Sequence, residues 1–394
     1  MNNTGTLLLF ELKKIFSKKL VWIALFSGIL LVFALTLTNL SADGKWNYVK
    51  EQEKILSQLN GEKIDDKFIS DFHNAIEKEI KEHPERYEKI KAYDPGAVYM
   101  NAARAAGKMA LYDFFDDVMR DRALMPTFTA EDFYEKMRAN IIDDSGELGS
   151  SGEETEHWLE SFDKIEKPIK YGYEQGIINL VSIIIFIGWI VFLNNTVAVS
   201  GTFADEKTSK TDALILSSRN GRMSVCVAKL LAGWVTTVIQ NVVFFGFSIL
   251  ISVVMFGKPE LSAPVQNVIP GSPWNITVGQ MMLIFFALSL VSGILNATTN
   301  MFFSYFTKSS VATVAIHTVI LFAGLFNIPS SIGIVKKLWE LKHTTILYYG
   351  TFCNTFMYGS LNNIAVAFIA CSALTVIAGG VIMLAYRKSQ VESR

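Results

Sequence analysis

Cysteine, catalytic motifs and charge inside apolar runs are what this 394-residue sequence has least of. The three cysteines, Cys226, Cys353 and Cys371, form no CxxC or Cys/His spacing, which argues against a disulfide framework and a zinc site. No GxSxG, HExxH or GxxxxGK[ST] occurs, so neither those hydrolases nor a phosphate-loop ATP site is expected on this chain. His73, His83 and His157 stand in no metal-ligand spacing. With no nucleophile–base or metal constellation, we expect no catalytic, cofactor-binding or metal residues, and a membrane enzyme has little weight. Asp, Glu, Lys and Arg are absent from the long apolar runs, and ion-coupled transporters generally carry such groups there.

Hydrophobic residues make up 51% of the chain, in runs close to the ~20 residues a helix needs to cross a bilayer. We expect an all-α membrane protein with six transmembrane helices: Leu20–Thr38, Ile177–Val199, Leu230–Phe256, Gln280–Phe306, Val311–Asn327 and Asn362–Tyr386. The net charge of −1 hides a division. Residues 39–175 hold 19 of the 36 Lys/Arg and 30 of the 37 Asp/Glu, a net −11, which leaves the rest at +10. Basic flanks stay in the cytoplasm, so both termini, the loop at 201–229 and the tail at 387–394 are expected there, in a cell membrane. Residues 39–175 then form an extracytoplasmic, mainly helical domain between spans 1 and 2. Residues 1–19, with apolar residues irregularly interleaved with Lys13, Lys14, Lys18 and Lys19, read as an interfacial helix against membrane lipid.

Within the insert, Phe68, Ile69, Phe72, Ile76 and Ile80 recur at helical steps across 65–82. Thr129 and Asp132 resemble a cap opening a short helix through Met137, and 157–169 reads as a helix with one apolar side. Residues 143–155 read as a loop by their Gly, Ser and acid content. The acidic run 113–121 reads as a solvated helix face. Four of the nine prolines fall between Lys258 and Gly279, which should be a stiff external loop. Residues 332–341 are amphipathic enough to rest on the outer leaflet, with Trp339 as an anchor.

The spans carry neutral polar groups instead of charges: Asn194, Asn195, Thr196, Gln240, Asn241, Asn296, Thr298, Thr299, Asn300, His317 and Thr318. A weakly polar pathway is one reading, with Asn194, Asn195, Gln240, Asn241, Asn296, Asn300 and His317 as its candidates. Interhelical hydrogen bonding, about 0.6 kcal/mol per pair, is the plainer one.

The stretch Phe203–Lys229 is polar, with five basic residues enclosed by two apolar runs. Its Phe203, Glu206, the block Thr211-Asp212-Ala213-Leu214-Ile215-Leu216-Ser217-Ser218, Arg219 or Arg222, and Lys229 resemble the first cytoplasmic loop of type-2 ABC exporter permeases. Residues 10–16 look like that family's elbow helix, and one span, a large insert, then five spans is similar to a subset of it. Where that family often has a glycine before the Thr-Asp pair, this chain has Lys210.

The resemblance implies a subunit without ATPase activity of its own, in a bacterial plasma membrane. It would pair with a second permease chain, identical or paralogous, and dock on separate ATP-binding cassette subunits that hold ATP and Mg. Phe203, Asp205, Glu206, Lys207, Lys210, Asp212, Leu214, Leu216, Arg219 and Arg222 would form the ATPase-coupling loop. Cargo would be an amphipathic peptide, a lipid-like or a drug-like molecule. The alternatives are a mechanical or sensing protein whose insert binds a peptide without transport, and a sodium-extrusion permease. No nucleic-acid partner is expected.

Overall fold

In a computed structural model of the chain, residues 4–43, 46–93, 95–211, 223–323, 335, 337, 341, 349–353 and 355–392 are described. The fold is that of an all-α, multi-pass membrane protein. Among the described residues the strands are confined to a hairpin of β1 (Met357–Tyr358) and β2 (Leu361–Asn362).

Among the described residues, five helices are long and apolar enough to cross a membrane. They are α2 (Lys19–Asp43), α10 (Gln175–Val199), α12 (Met223–Phe256), α13 (Val278–Thr307) and α15 (Asn363–Glu392). The segment expected as the fifth of six spans is α14 (Ser310–Ala323), 14 residues long. At 1.5 Å per residue it extends about 21 Å, short of a ~30 Å hydrocarbon layer. Residues 324–327, the rest of that expected span, lie outside the described residues, as does most of the amphipathic stretch at 332–341.

Several expected boundaries move, those around the polar stretch most. Helix α10 continues through a helical Ser200 into α11 (Gly201–Thr208), and α12 begins at Met223 rather than Leu230. The polar stretch is therefore helical at both ends, because 200–208 and 223–229 contain no Pro and no helix-breaking turn residue except Gly201 at the start of α11. Helix α13 starts at a capping box, in which Thr277 Oγ1 accepts from Gln280 N–H and Gln280 accepts from Thr277 N–H.

Against the bundle sits the insert, made of α3 (Trp46–Leu56), α4 (Asp66–Glu82), α5 (Pro84–Tyr93), α6 (Pro95–Ala105), α7 (Met109–Met119), α8 (Ala130–Leu148) and α9 (Gly152–Asp163). Asp65 caps α4 by accepting from Phe68 N–H at 3.0 Å, and of the apolar positions expected on its inner face Phe68, Ile69, Phe72 and Ile76 are buried and Ile80 is half-buried. The core is aromatic: Phe115 is fully enclosed, with ring centroids 5.0 Å from Phe72 and from Phe128 and 5.4 Å from Phe133. His73 is held in that core by Tyr99 at Nδ1 and by the Phe128 carbonyl at Nε2, and burial lowers its pKa.

The capping box at Thr129 and Asp132 is present, but α8 runs on to Leu148, well past the expected end at Met137. Only residues 149–151 remain of the loop expected at 143–155. Gly149 ends α8 with φ 77°, a left-handed turn a glycine makes without strain, and Ser151 with Glu154 caps α9 at once. Of the acids that suggested a loop, Asp143, Asp144 and Glu147 lie along the end of α8, where Asp144 takes a two-pronged ion pair from Arg120, and Glu153 and Glu154 open α9. Residues 113–119 of the acidic run lie on α7, with Asp113 and Asp117 on its solvated side.

The insert is fastened to the bundle by polar contacts. Asn267, in the proline-rich 258–279 segment, accepts from Gly172 N–H and donates to Lys170 O. Trp158 of α9 packs 5.0 Å from Trp274 and donates to Thr355 O. Glu154 accepts from Lys337 at 2.5 Å and from Met357 N–H at 2.7 Å. The insert thus holds the segment that leads into α15.

Candidate functional site

At the opposite end of the bundle, α1 (Thr4–Phe16) lies across the start of α12 and the end of α10. Its alternation of Leu and Lys gives one face that packs inward. Ile15 is buried there with Val199, Phe203, Cys226, Leu230, Met301, Tyr305 and Tyr386. That cluster joins α1, α10, α11, α12, α13 and α15 into one base.

Lys229 is the centre of the base. It lies nearly two turns inside α12 with no exposed surface. Its ammonium has three protons to place. They go to Glu206 Oε1 at 2.6 Å, Thr202 O at 2.9 Å and Glu11 Oε2 at 3.1 Å. Lys14 donates to the same Glu206 oxygen at 2.6 Å and stands 3.9 Å from Glu11. Two carboxylates and two ammonium groups therefore cancel. Farther out, Lys18 pairs with Asp205 at 2.8 Å. Burial alone would lower the Lys14 pKa, but the Glu206 hydrogen bond and the charges of Glu11 and Glu206 outweigh it, so the pKa is raised.

Helix α11 is also pinned to α13. Ser304 Oγ accepts from Phe203 N–H at 3.2 Å and from Ala204 N–H at 3.0 Å, taking two of the donors freed at the weak junction after α10. Lys207 donates to Tyr305 O at 2.5 Å and lies 3.8 Å over the Tyr305 ring. Phe203 meets Tyr305 and Tyr386 edge to face. Helix α11 closes in a Schellman motif, with Lys210 N–H on Lys207 O and Thr211 N–H on Glu206 O. Lys210, at the position where the resembled loops often have glycine, takes φ 56°.

The expected coupling residues therefore divide. Phe203, Glu206 and Lys207 face into the base; Glu206 is 7% exposed and its charge is spent on Lys229 and Lys14. Asp205 is half-exposed and paired, and Thr208 to Thr211, including Lys210, form the exposed described surface. Asp212, Leu214, Leu216, Arg219 and Arg222 lie outside the described residues. In the sequence Lys229 reads as the mouth of a span, Lys14 as a lysine facing lipid headgroups and Glu11 as part of the elbow helix, with no role for Ser304; the structure instead pairs Lys14 with Glu206 and Lys229 with Glu11 and Glu206. The available signal was a lone acid among the lysines of α1 and a lysine inside a stretch with no helix breaker.

The neutral polar groups divide as well. Asn195 donates to Thr237 at 2.5 Å and to Gly293 O at 3.5 Å, Asn241 donates to Thr237 O, and Ser289 donates to Asn241. A Cβ on Gly293 would come within 2.7 Å of Thr237 Cγ2, so glycine permits this close approach of α12 and α13. These residues act as interhelical ties. Asn194 donates to Ile190 O within its own helix, and Asn296 crosses to Phe192 O at 3.2 Å. His317 contacts Thr299 and Thr313 O, both at 3.3 Å, between the rings of Phe192 and Phe303. Gln240 is buried on α12 and Asn300 is buried on α13. Among the described residues no group of three or more His, Cys, Asp or Glu is placed to hold a metal ion.

Compared with known protein families, curated proteins and solved structures, the chain matches none of them.

Proposed function

We propose that this chain is the membrane subunit of an ATP-driven exporter, worked by a separate ATPase that bears on residues 208–222. The observation that carries the reading is the buried, charge-balanced base around Lys229. A connector that only joined two spans would not need a fully enclosed ammonium shared by α1, α11 and α12. Such a clamp makes three elements move as one. A push on the exposed turn after α11 then becomes rigid-body displacement of α10 and α12. Residues 208–211 offer the partner a polar surface; Phe203, Glu206 and Lys207 act behind it as the internal brace.

On this reading the permease works as a dimer, identical or paralogous, with both termini and the turn in the bacterial cytoplasm. The insert faces outward, and α14, which starts at the base beside Lys308, is taken as the sixth crossing. Cargo is amphipathic peptide, lipid-like or drug-like material, and a chain without a phosphate loop leaves hydrolysis to the partner.

One observation favours a second reading. The insert is bonded to the segment ahead of α15 through Glu154, Lys337 and Trp158, so displaced helices would also carry the insert. ATP hydrolysis could then move a peptide-binding domain with nothing crossing the membrane. Inverted vesicles from the native host separate the two. ATP-dependent uptake of labelled amphipathic peptide, lipid or dye that requires this chain supports export. ATPase activity that depends on this chain without uptake supports mechanical transmission. Purification from native membranes with no nucleotide hydrolase bound would defeat both.

A further inference from the structure

The seam between α10 and α13 holds buried polar atoms with no hydrogen-bond partner among the described residues. The two helices run in the same direction, as the contacts of Asn195 with Gly293 and of Phe203 with Ser304 require. Asn296 reaches Phe192 O across the seam. Four-residue steps place Thr196 one turn past Phe192 on α10 and Asn300 one turn past Asn296 on α13. Asn195, Thr196, Asn296 and Asn300 are all at least nine-tenths buried. Yet Asn195 Oδ1, Thr196 Oγ1, Asn296 Oδ1 and both amide atoms of Asn300 have no hydrogen-bond partner among the described residues.

The identity of the free atoms is fixed by chemistry. The Thr237 hydroxyl donates to Gly233 O, so toward Asn195 it can only accept, and Asn195 must present its nitrogen there. Asn296 presents its nitrogen to a carbonyl. Both amides therefore have their nitrogens engaged and their oxygens left over, and Asn300 has neither amide atom engaged. Four neutral oxygens from two helices, with no carboxylate among them and only the Asn300 nitrogen and the Thr196 hydroxyl proton as donors, form a set rich in acceptors. Buried acceptors in a medium without bulk water call for an electropositive guest.

We propose that this seam binds a monovalent metal cation, held by Asn195, Thr196, Asn296 and Asn300 with water completing its shell. Neutral oxygens suit a hard, singly charged ion, since a divalent ion would normally be accompanied by carboxylates. The inference stands apart from the export reading, because it concerns this chain alone.

The test uses purified full-length protein in detergent. Binding of radiolabelled sodium and of rubidium is measured, with thermal unfolding followed in sodium, potassium and choline chloride at equal ionic strength. Saturable binding of one of the two cations is expected, together with a higher Tm in that salt than in choline. Thr196→Val removes one oxygen at nearly constant shape and should weaken binding by about tenfold or more. Asn300→Asp should tighten it, a gain that a purely structural asparagine would not give, and Asn300→Ala should abolish it. Folded wild-type protein that binds neither cation saturably would overturn the proposal and leave a seam filled by water alone. Binding that is unchanged in Thr196→Val and in folded Asn300→Ala would overturn it equally.

Discussion

Removing the buried ammonium of the base should be costly, and restoring charge balance should recover much of the loss. In Lys229→Met, Glu11 keeps only Lys14, 3.9 Å away, while itself 5% exposed. Glu206 retains Lys14 at 2.6 Å. Breaking a buried pair by deleting one partner costs about 3–5 kcal/mol, because the surviving charge is left in a poorly solvating site. Replacing Glu11 by Gln in the same chain leaves Lys14 and Glu206 as a neutral pair. The double variant should then be more stable than Lys229→Met alone by about 2 kcal/mol or more, a coupling expected only of residues that share one network. The assay is thermal unfolding in detergent, comparing wild type, each single variant and the double variant. The expected order places Lys229→Met lowest and the double variant between it and wild type. A double variant no more stable than Lys229→Met would refute the charge-balance argument.

Three further outcomes follow from other parts of the molecule. Phe115→Ala, at the centre of the aromatic insert core, should cost about 3–5 kcal/mol and appear as faster hydrogen exchange in α4 and α7; exchange unchanged there would contradict the packing described. Burial alone would raise the Glu154 pKa, but its hydrogen bonds from Lys337, Ser151 and Met357 outweigh that and hold it below the ordinary carboxylate value. A depressed pKa contributes stability above the unfolded-state value that is lost as pH falls through the folded one. Hydrogen exchange at Met357 should therefore quicken as pH is lowered through the range below about 4.3, beyond its intrinsic pH dependence, and lose that response in Glu154→Gln. Lys210→Gly should relieve a left-handed residue, worth about 1–2 kcal/mol and offset in part by glycine's greater unfolded freedom. Its readout is slower exchange of the Thr211 amide, and faster exchange would count against the helix end described.

Much of the fold was legible because long apolar runs and helix caps are local signals. Five long apolar helices, the α4 helix with its inner face and the Thr129 cap all follow from residues close together in sequence. Boundaries depended on contacts farther away. Residues 143–148 look like a loop until Arg120 is seen to pair with Asp144, and α12 looks as if it starts at Leu230 until Lys229 finds acceptors 23 and 218 residues distant. The site was legible in part for the same reason. Glu206 and Lys207 stand out as charges, and a charge in a polar stretch suggests an exposed docking surface. Which charges face inward is set by α1 and α13, whose approach no local pattern encodes. The neutral groups show the same limit: spacing finds Asn195 and Asn300, but only packing separates a tied amide from a free one.

Export on this reading needs a partner that presses on the turn after α11. The most direct measurement places a photo-crosslinking amino acid at Lys210, exposed at that turn, and irradiates native-host membranes in the presence of ATP. The account predicts a crosslink to a soluble nucleotide-hydrolysing subunit, reduced when the base is disrupted by Lys229→Met. Crosslinks confined to this chain or to lipid, or labelling of the same position by a membrane-impermeant reagent added outside intact cells, would contradict it.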